Sequence, residues 1–411
     1  MTSAVPKSPS DFTLNVKDSF TKTSLNQISF KLDVVSMKAK VVPAIRAIDS
    51  YALGETLLKI EVFNQAIKFS TINYNLFADV LYELDSGNKT DLPAQEYMSF
   101  VLNSDKFLNF FSSVNEGTVL FNIDLTQRLL ELKLNDLTLN LYLKANSEFV
   151  DYESSIKDHT VLSNKVSVDN IKKALDFCDL IFSKSEETNK TKEISISNDL
   201  IYTVSAFTGA TCVSYSDFGS LDMCLRHELI KVFPSILSIL SSDETKAFST
   251  PKFLILKDAT VMFGTILMDQ SHAAIKESTK RKSIEDAPIS KVFVNRKNLI
   301  RSLSTLSILL KDLQDDLVKF SFTRNQLKIS VVDQITQKES YDLFKIDYED
   351  ADCELQVRFD SILSNLKFFG NREIVDIEIS QVSESNKALR IREISNKLEF
   401  SSLLLDISES N

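Results

Sequence analysis

Hydrophobic and polar positions in residues 292–332 follow three successive patterns, which predict a strand, a helix and a hairpin. In the helix, leucines recur at helical spacing, whereas Arg296, Lys297 and Arg301 fall on the opposite side. Two runs that alternate apolar and polar residues follow, separated by Arg324-Asn325, and predict two paired strands. The segment therefore predicts a helix that is basic on one side, leucine-lined on the other, and followed by sheet.

The same order of helix and strands recurs along the chain. Apolar residues at helical spacing predict five further helices, and runs typical of antiparallel strands follow them. Including the helix already described, the predicted helices are residues 38–53, 103–113, 168–184, 225–241, 294–311 and 357–372. Pro43 fits only near a helix start, and Pro234 predicts a kink or a later start in the fourth helix.

Two polar segments, residues 151–164 and 268–289, are predicted to be linkers between groups of repeats. We therefore expect three domains, at residues 1–152, 153–287 and 288–411. Each domain would hold two copies of a unit in which a helix is followed by strands. Helices alternating with antiparallel strands predict an α+β architecture with the helices on one face of the sheets.

Charge is divided unevenly between the predicted helices and the remainder of the 411-residue chain. The chain as a whole has a formal net charge of −10. The six predicted helices nevertheless carry 16 Lys and Arg against 7 Asp and Glu, whereas the remaining residues carry 31 against 50. Basic helices in an acidic protein indicate a polyanion held against those helices by phosphate contacts. The polar residues of these helices are mostly Lys, Arg, Ser and Asn, which suits contact without sequence preference.

Candidate catalytic chemistry is sparse. The four cysteines form no CxxC pair, and the three histidines lie far apart in sequence, so we expect buried thiols and no metal site. No phosphate-binding glycine motif or pairing of nucleophile and base is visible, which predicts a protein that is not an enzyme and binds no cofactor. No apolar run approaches the roughly 18 residues of a membrane span, and the N-terminus lacks the apolar core of a signal peptide.

The repeated unit resembles the bacterial-type DNA sliding clamp, the β processivity factor of replicative DNA polymerase. Residues 166–177 (VSVDNIKKALDF) and 292–303 (VFVNRKNLIRSL) both resemble the opening strand and helix of that family's domains. Residues 200–213 (LIYTVSAFTGATCV) and 318–331 (VKFSFTRNQLKISV) resemble its hairpins, and residues 261–269 (VMFGTILMD) its second-domain closing strand. The resemblance covers most of the chain as a diffuse pattern and suggests a divergent or phage-encoded member.

The resemblance implies a head-to-tail homodimeric ring with helices lining the hole and sheets outside. Double-stranded DNA would pass through the hole, and a clamp loader and DNA polymerase would be partners, in the bacterial nucleoid or the cytoplasm of a phage-infected host. We expect the edge strands of the first and third domains to pair across the two chains. The residues predicted to face DNA are Lys38, Lys40, Arg46, Lys106, Lys172, Lys173, Arg226, Lys231, Arg296, Lys297, Arg301, Arg358 and Lys367.

The resemblance also implies an apolar pocket for partner peptides between the second and third domains. The matching positions are Phe207, Gly209, Cys212, Ala273, Leu404 and Leu405. Two segments depart from the family pattern. The family's proline- and arginine-containing segment is QSHAAIKESTKRK here, and its methionine-rich end is LLLDISESN.

One alternative remains open at the level of the sequence. A non-catalytic structural or assembly protein, such as a phage ring component, is also built from duplicated α+β units. Such a protein would not need a set of net-positive helices.

Overall fold

The computed structural model describes residues 20–50, 54–73, 75–84, 90–150, 152, 162–180, 193–197, 200–205, 209–214, 223–241, 243–250, 252–268, 288–310, 317–332, 338–348, 350–369, 373–381, 387–395 and 398–406. The helices are α1 (Val34–Lys40), α2 (Val42–Asp49), α3 (Ser104–Ser113), α4 (Val168–Asp179), α5 (Phe233–Leu237), α6 (Arg296–Leu310) and α7 (Phe359–Phe368). Short 3-10 helices span Asn146–Glu148 and His227–Lys231.

The strands of the first half of the chain are β1 (Thr21–Lys22), β2 (Gln27–Asp33), β3 (Leu57–Val62), β4 (Ala66–Ile72), β5 (Leu76–Glu83), β6 (Glu96–Asn103), β7 (Thr118–Asp124), β8 (Leu129–Leu134), β9 (Leu137–Tyr142), β10 (Leu162–Lys165), β11 (Glu193–Ser197), β12 (Leu200–Ser205) and β13 (Gly209–Ser214). Those of the second half are β14 (Met223–Arg226), β15 (Lys246–Ser249), β16 (Phe253–Lys257), β17 (Val261–Ile266), β18 (Ser290–Asn295), β19 (Leu317–Thr323), β20 (Gln326–Val332), β21 (Glu339–Lys345), β22 (Cys353–Arg358), β23 (Ile374–Gln381), β24 (Lys387–Ser395) and β25 (Leu398–Leu405).

Six segments of the chain share one order of elements, and we call each a half-unit. A half-unit opens with a strand, continues through helix, and ends with three antiparallel strands; β18, α6 and β19–β21 are one example. The opening strand does not pair with the strands that follow its own helix. It pairs with the first of the three strands of a neighbouring half-unit, so that β18 pairs with β23 and β22 pairs with β19.

This exchange produces four sheets. A nine-stranded sheet has the order β1-β6-β3-β4-β5-β17-β16-β15-β10, and an eight-stranded sheet has the order β14-β11-β12-β13-β25-β24-β23-β18. Two four-stranded sheets have the orders β2-β7-β8-β9 and β21-β20-β19-β22. Within the described ranges, every strand pairing is antiparallel except that of β1 with β6. The α+β architecture expected from the sequence is confirmed.

The chain divides into two compact units. The first unit comprises residues 1–172 and 229–267, and the second comprises residues 173–228 and 268–411. The nine-stranded sheet and the β2–β9 sheet belong to the first unit, whereas the eight-stranded sheet and the β21–β22 sheet belong to the second.

Strict alternation of side chains places the core on one face of two edge strands, β2 and β18. Residues of β2 alternate exposed and buried from Gln27 to Asp33, and those of β18 alternate buried and exposed from Ser290 to Asn295. The hairpin predicted around Arg324-Asn325 is confirmed, since β19 and β20 flank this turn and Asn325 has a φ of 63°. Asn tolerates this left-handed conformation because its short polar side chain can bond locally.

Two predicted helices differ from the structure. The first, predicted at residues 38–53, is two successive helices, α1 and α2, of which α1 begins at Val34. Pro43 lies in the first turn of α2. Asp33 determines the earlier start, because its carboxylate accepts a hydrogen bond from Ser36 N at 2.7 Å. The fourth, predicted at residues 225–241, begins as strand β14 and a 3-10 turn, and the α-helix α5 contains Pro234 at its start. The later start that Pro234 predicted is confirmed.

Candidate nucleic-acid interface

The helices of the first unit form a layer in which α2 is central. It packs against α1, α3 and α5 and lies over strands β4 and β5. Val42, Ile45 and Ile48 are buried at helical spacing, and this leaves Arg46 exposed on the opposite side. Burial of the apolar stripe therefore determines which side of the helix is available for a polyanion.

Two cations of this layer also join neighbouring helices. Lys38 Nζ donates to the carbonyl of Val114, just beyond the end of α3, at 2.8 Å. The guanidinium of Arg46 donates to Ser112 Oγ, in the last turn of α3, at 2.9 Å. The last carbonyls of a helix have no partner within the helix, so a cation there satisfies them. Both side chains are thus held near the end of α3, with Lys38 half-buried and Arg46 still exposed.

In the second unit, α6 presents the most basic helix surface. Four of its leucines, Leu299, Leu303, Leu306 and Leu310, are at most 5% exposed. Lys297 and Arg301 are exposed on the other side. Asn295 begins the helix by accepting a hydrogen bond from Asn298 N at 3.0 Å. The two faces predicted for this helix are therefore present.

Arg296 departs from the expectation that it faces a phosphate. Its side chain is 8% exposed, and its Nη1 donates to the carbonyl of Leu366 at 2.9 Å. Leu366 lies in the last turn of α7, where carbonyls lack partners within the helix. The guanidinium therefore caps α7 and is committed to the fold, as Lys38 is at the end of α3.

The other predicted residues differ in exposure and in the element that carries them. Arg358 is half-buried at the start of α7. Arg226 lies on β14 and opposite Glu193, so it belongs to a strand. On α4, Lys172 and Lys173 are accompanied by exposed Asp169 and Asp176, which makes that helix surface nearly neutral. Ten of the thirteen predicted residues are exposed: Lys40, Arg46, Lys106, Lys172, Lys173, Arg226, Lys231, Lys297, Arg301 and Lys367.

Three of the predicted pocket residues meet where β13 pairs with β25. Gly209 lies opposite Leu404, and Leu405 packs on a small apolar cluster of Ala210, Ala388 and Leu403. Cys212 is 0% exposed, so its side chain is not accessible to a peptide as the chain is folded. Phe207 and Ala273 lie outside the described residues.

Two strands that were not singled out residue by residue in the sequence carry exposed apolar side chains at sheet edges. On β9, at the edge of the first unit's four-stranded sheet, Leu137 and Tyr142 are 45% and 79% exposed. On β21, at the edge of the second unit's four-stranded sheet, Tyr341 and Leu343 are 57% and 46% exposed. Alternation alone could not identify them, because it does not reveal which strand ends a sheet.

A groove of about 650 Å³ accompanies the β21 edge. It is lined by residues of β18, α6 and β21, including Phe293, Arg301 and Phe344. At one end of β21, Lys328 Nζ lies 2.6 Å from Glu339, and this hydrogen bond lowers the pKa of the Glu339 carboxyl. Glu339 is therefore ionised at neutral pH, and the edge combines apolar side chains with compensated charge.

The cysteines and the potential metal ligands are among the candidates for reactive groups. All four cysteines are buried, as expected, and burial raises the pKa of the Cys178 thiol to about 12. No group of three or more potential metal ligands occurs among the residues that the structure describes. A helix long and apolar enough to cross a membrane is likewise not found in those ranges.

Solved structures that share this fold include beta subunits of DNA polymerase III, which are also named sliding clamps. The DNA polymerase III subunit beta of Pseudomonas aeruginosa is similar with a TM-score of 0.68 over 92% of this chain and 99% of its own, at 13% identity. That of Thermotoga maritima gives 0.69 over 92% and 99%, at 13% identity, and the C. crescentus beta sliding clamp gives 0.72 over 93% and 100%, at 8% identity. No protein-family model and no curated protein matches the chain. The chain therefore has the sliding-clamp fold along nearly its whole length.

Proposed function

We propose that this protein is a sliding clamp that encircles duplex DNA and tethers a replicative DNA polymerase. The observation that carries this proposal is the recurrence of exposed Lys and Arg on helices of successive half-units, in a fold that clamps share over 92% of the chain. A protein of this kind needs no catalytic group. Processivity would come from topology, since a closed ring can slide along DNA but cannot leave it sideways.

The exposed helix residues support contact with phosphates in preference to bases. Lys40 and Arg46 in the first unit and Lys297 and Arg301 in the second are long cations on helix surfaces. Such residues interact with the sugar-phosphate backbone whatever its sequence, and their contribution falls with salt as counterions compete. Weak contacts of this kind are what a sliding protein requires.

Ring closure would need a second copy, and two sheet edges support a proposal for where the copies would join. In each large sheet, the last strands of two half-units pair: β5 with β17 in the first unit and β13 with β25 in the second. The two remaining half-units end in β9 and β21, which are edge strands with exposed apolar side chains. We assign these edges to each other across a head-to-tail homodimer, which closes only if both ends of each chain are used.

The three domains at residues 1–152, 153–287 and 288–411 are part of this proposal. A partner peptide, for example from a polymerase or a clamp loader, would bind near Gly209, Leu404 and Leu405, at the β13–β25 pairing. The P. aeruginosa clamp has been solved bound to griselimycin, so a protein of this fold accepts a ligand. The location would be cytoplasmic, in the nucleoid or in a phage-infected host.

Retention on circular DNA tests the proposal directly. The protein is loaded on nicked circular DNA with a clamp loader, unbound protein is removed, and the DNA is then cut once. A topologically linked ring should stay on the circle and leave the linear molecule through its ends. The measurement is the fraction of protein that elutes with DNA before and after cutting.

Blocking both DNA ends with bulky protein caps is the control, because capped linear DNA should retain the ring. Protein that stays equally bound to circular and uncapped linear DNA is held by contacts alone, and the clamp proposal would then be wrong. This outcome would favour a structural or assembly protein that binds no DNA topologically.

A further inference from the structure

Arg296 joins two helices that carry separate parts of the basic surface. It is the first residue of α6, and its Nη1 donates to the carbonyl of Leu366, in the last turn of α7, at 2.9 Å. Its backbone N donates to the carbonyl of Glu373, which precedes β23, at 2.8 Å. The start of α6 is therefore attached at two points to the half-unit that contains α7.

An exposed lysine follows each residue of the side-chain bond. Lys297 follows Arg296 and Lys367 follows Leu366, and consecutive Cα atoms are about 3.8 Å apart. Arg296 is 8% exposed and Leu366 is 0% exposed, so the bond lies beneath the surface on which the two lysines are exposed. The bond thus brings together cations of two half-units, from positions 70 residues apart in the chain.

Neither lysine is neutralised within the part of the chain that the structure describes. On β19 of the same unit, Lys319 Nζ lies 2.7 Å from a carboxylate oxygen of Glu354. No ion pair of this kind joins Lys297 or Lys367 to a described carboxylate. Neighbouring like charges repel each other, and a phosphate that contacts both offsets the repulsion.

The first unit contains a link of the same kind. Lys38 of α1 donates through Nζ to the carbonyl of Val114, at the end of α3, at 2.8 Å. In both units, a cation on the helix of one half-unit satisfies a carbonyl at the end of the helix of the next half-unit. Lys40, two residues after Lys38, is exposed. The recurrence indicates a common role on the helix side of the sheets.

We propose that Arg296 is a positioning residue, which holds Lys297 and Lys367 at a fixed spacing so that both contact the same stretch of DNA backbone. This inference rests on the proposed function, since it requires duplex DNA at the helix surface. Arg296 does not touch phosphate itself. Loss of its side-chain bond frees the last turn of α7, whereas α6 stays anchored by its buried leucines. The phosphate contact that is lost is therefore that of Lys367.

Binding of a short labelled duplex to the full-length protein, measured by fluorescence anisotropy over a series of salt concentrations, tests this role. Each phosphate contact contributes about 1 to the steepness of log affinity against log salt. Lys367→Gln should make the slope shallower by about 1 in the wild type and should not change it in the Arg296→Met background.

Arg301→Gln is the matched control for this comparison. Arg301 is exposed on α6, about one turn beyond Lys297, and takes no part in the bond to Leu366. Arg301→Gln should make the slope shallower by about 1 in both backgrounds. Loss of the Arg296 charge alone would weaken binding in Arg296→Met but would not abolish the effect of Lys367→Gln.

Arg296→Lys tests whether the hydrogen bond is the cause. A lysine can donate to a carbonyl at a helix end, as Lys38 does, so Arg296→Lys should restore the effect of Lys367→Gln. A measurement on the wild type does not depend on the folding of any variant. A short amine-reactive cross-linker should join Lys297 to Lys367, as identified by peptide mass spectrometry, and bound duplex should block the reaction.

The proposal is overturned if Lys367→Gln has the same effect in the wild type and in Arg296→Met, if the cross-link does not form, or if the wild type binds no duplex at low salt. An unchanged effect of Lys367→Gln leaves the sliding clamp intact, because topological retention does not depend on it. Protein that stays equally on circular and uncapped linear DNA refutes the clamp and leaves the coupling on a short duplex untouched. The two failures are therefore distinguishable.

Discussion

At the scale of single residues, Gly264 shows how tightly the outer face of the first unit's large sheet is packed. It lies on β17 opposite Phe77 of β5, and the phenyl ring covers it. A Cβ at position 264 would be 1.9 Å from a ring atom of Phe77. Tyr152 stacks on the same ring at a centroid distance of 3.9 Å. Phe77 therefore cannot move away without disturbing this stacking.

We expect Gly264→Ala to lower the free energy of unfolding by about 1–3 kcal/mol, the usual cost of overpacking a core. Chemical denaturation followed by circular dichroism measures the change. Gly54→Ala is the matched control, because a Cβ at Gly54 would meet nothing within 4 Å. Equal stability of the two variants would contradict the packing described for Phe77 and Tyr152.

The contacts of single side chains are also the feature that the sequence predicted least well. Helical spacing groups Arg296 with Lys297 and Arg301, yet Arg296 caps α7 through the carbonyl of Leu366. That carbonyl is 70 residues away in the chain, so no local pattern could indicate the contact. Lys38 has the same kind of role at Val114, 76 residues away.

At the scale of elements, periodicity predicts those helices and hairpins whose sequence signals all lie within one segment. The α6 helix and the β19–β20 hairpin are confirmed because apolar spacing, an N-terminal Asn and a turn Asn are all within the segment. The predicted helix at residues 225–241 was partly wrong because Leu225 is committed to a strand that pairs with β11. The exchange of opening strands between half-units is equally invisible in the sequence, since alternation specifies a face and not a partner.

The clearest prediction for an element concerns α6. Lys297→Glu with Arg301→Glu should weaken DNA retention and reduce its dependence on salt, because two phosphate contacts become repulsive. The fold should be unaffected, since both side chains are exposed and the buried leucines are unchanged. The measurement is retention on nicked circular DNA over a series of salt concentrations.

Arg324→Glu is the control for this experiment. Arg324 is also an exposed arginine of the second unit, but it lies in the β19–β20 turn and not on a helix. It should retain DNA as the wild type does. If the double variant and the control behave alike, α6 does not belong to the DNA-facing surface.

At the scale of the whole molecule, the informative feature is the pair of sheet edges formed by β9 and β21. The last strands of four half-units pair within the chain, β5 with β17 and β13 with β25. Among the residues that the structure describes, no strand pairs with the outer edge of β9 or of β21, and apolar side chains are exposed there. Repetition in the fold thus predicts an intermolecular pairing that neither the composition nor the charge of the chain suggests.

Leu343→Glu should therefore convert a dimer into a monomer. Leu343 is 46% exposed on β21, and an unpaired carboxylate at its position would be desolvated when β9 of the second copy pairs with this edge. Sedimentation velocity at micromolar concentration should give the mass of two chains for the wild type and of one chain for the variant. Leu25→Glu is the matched control, since Leu25 is 42% exposed but precedes β2, on the edge of its sheet opposite β9. It should remain dimeric. A variant that stays dimeric would place the interface elsewhere, and a monomeric wild type would exclude a ring closed by these edges.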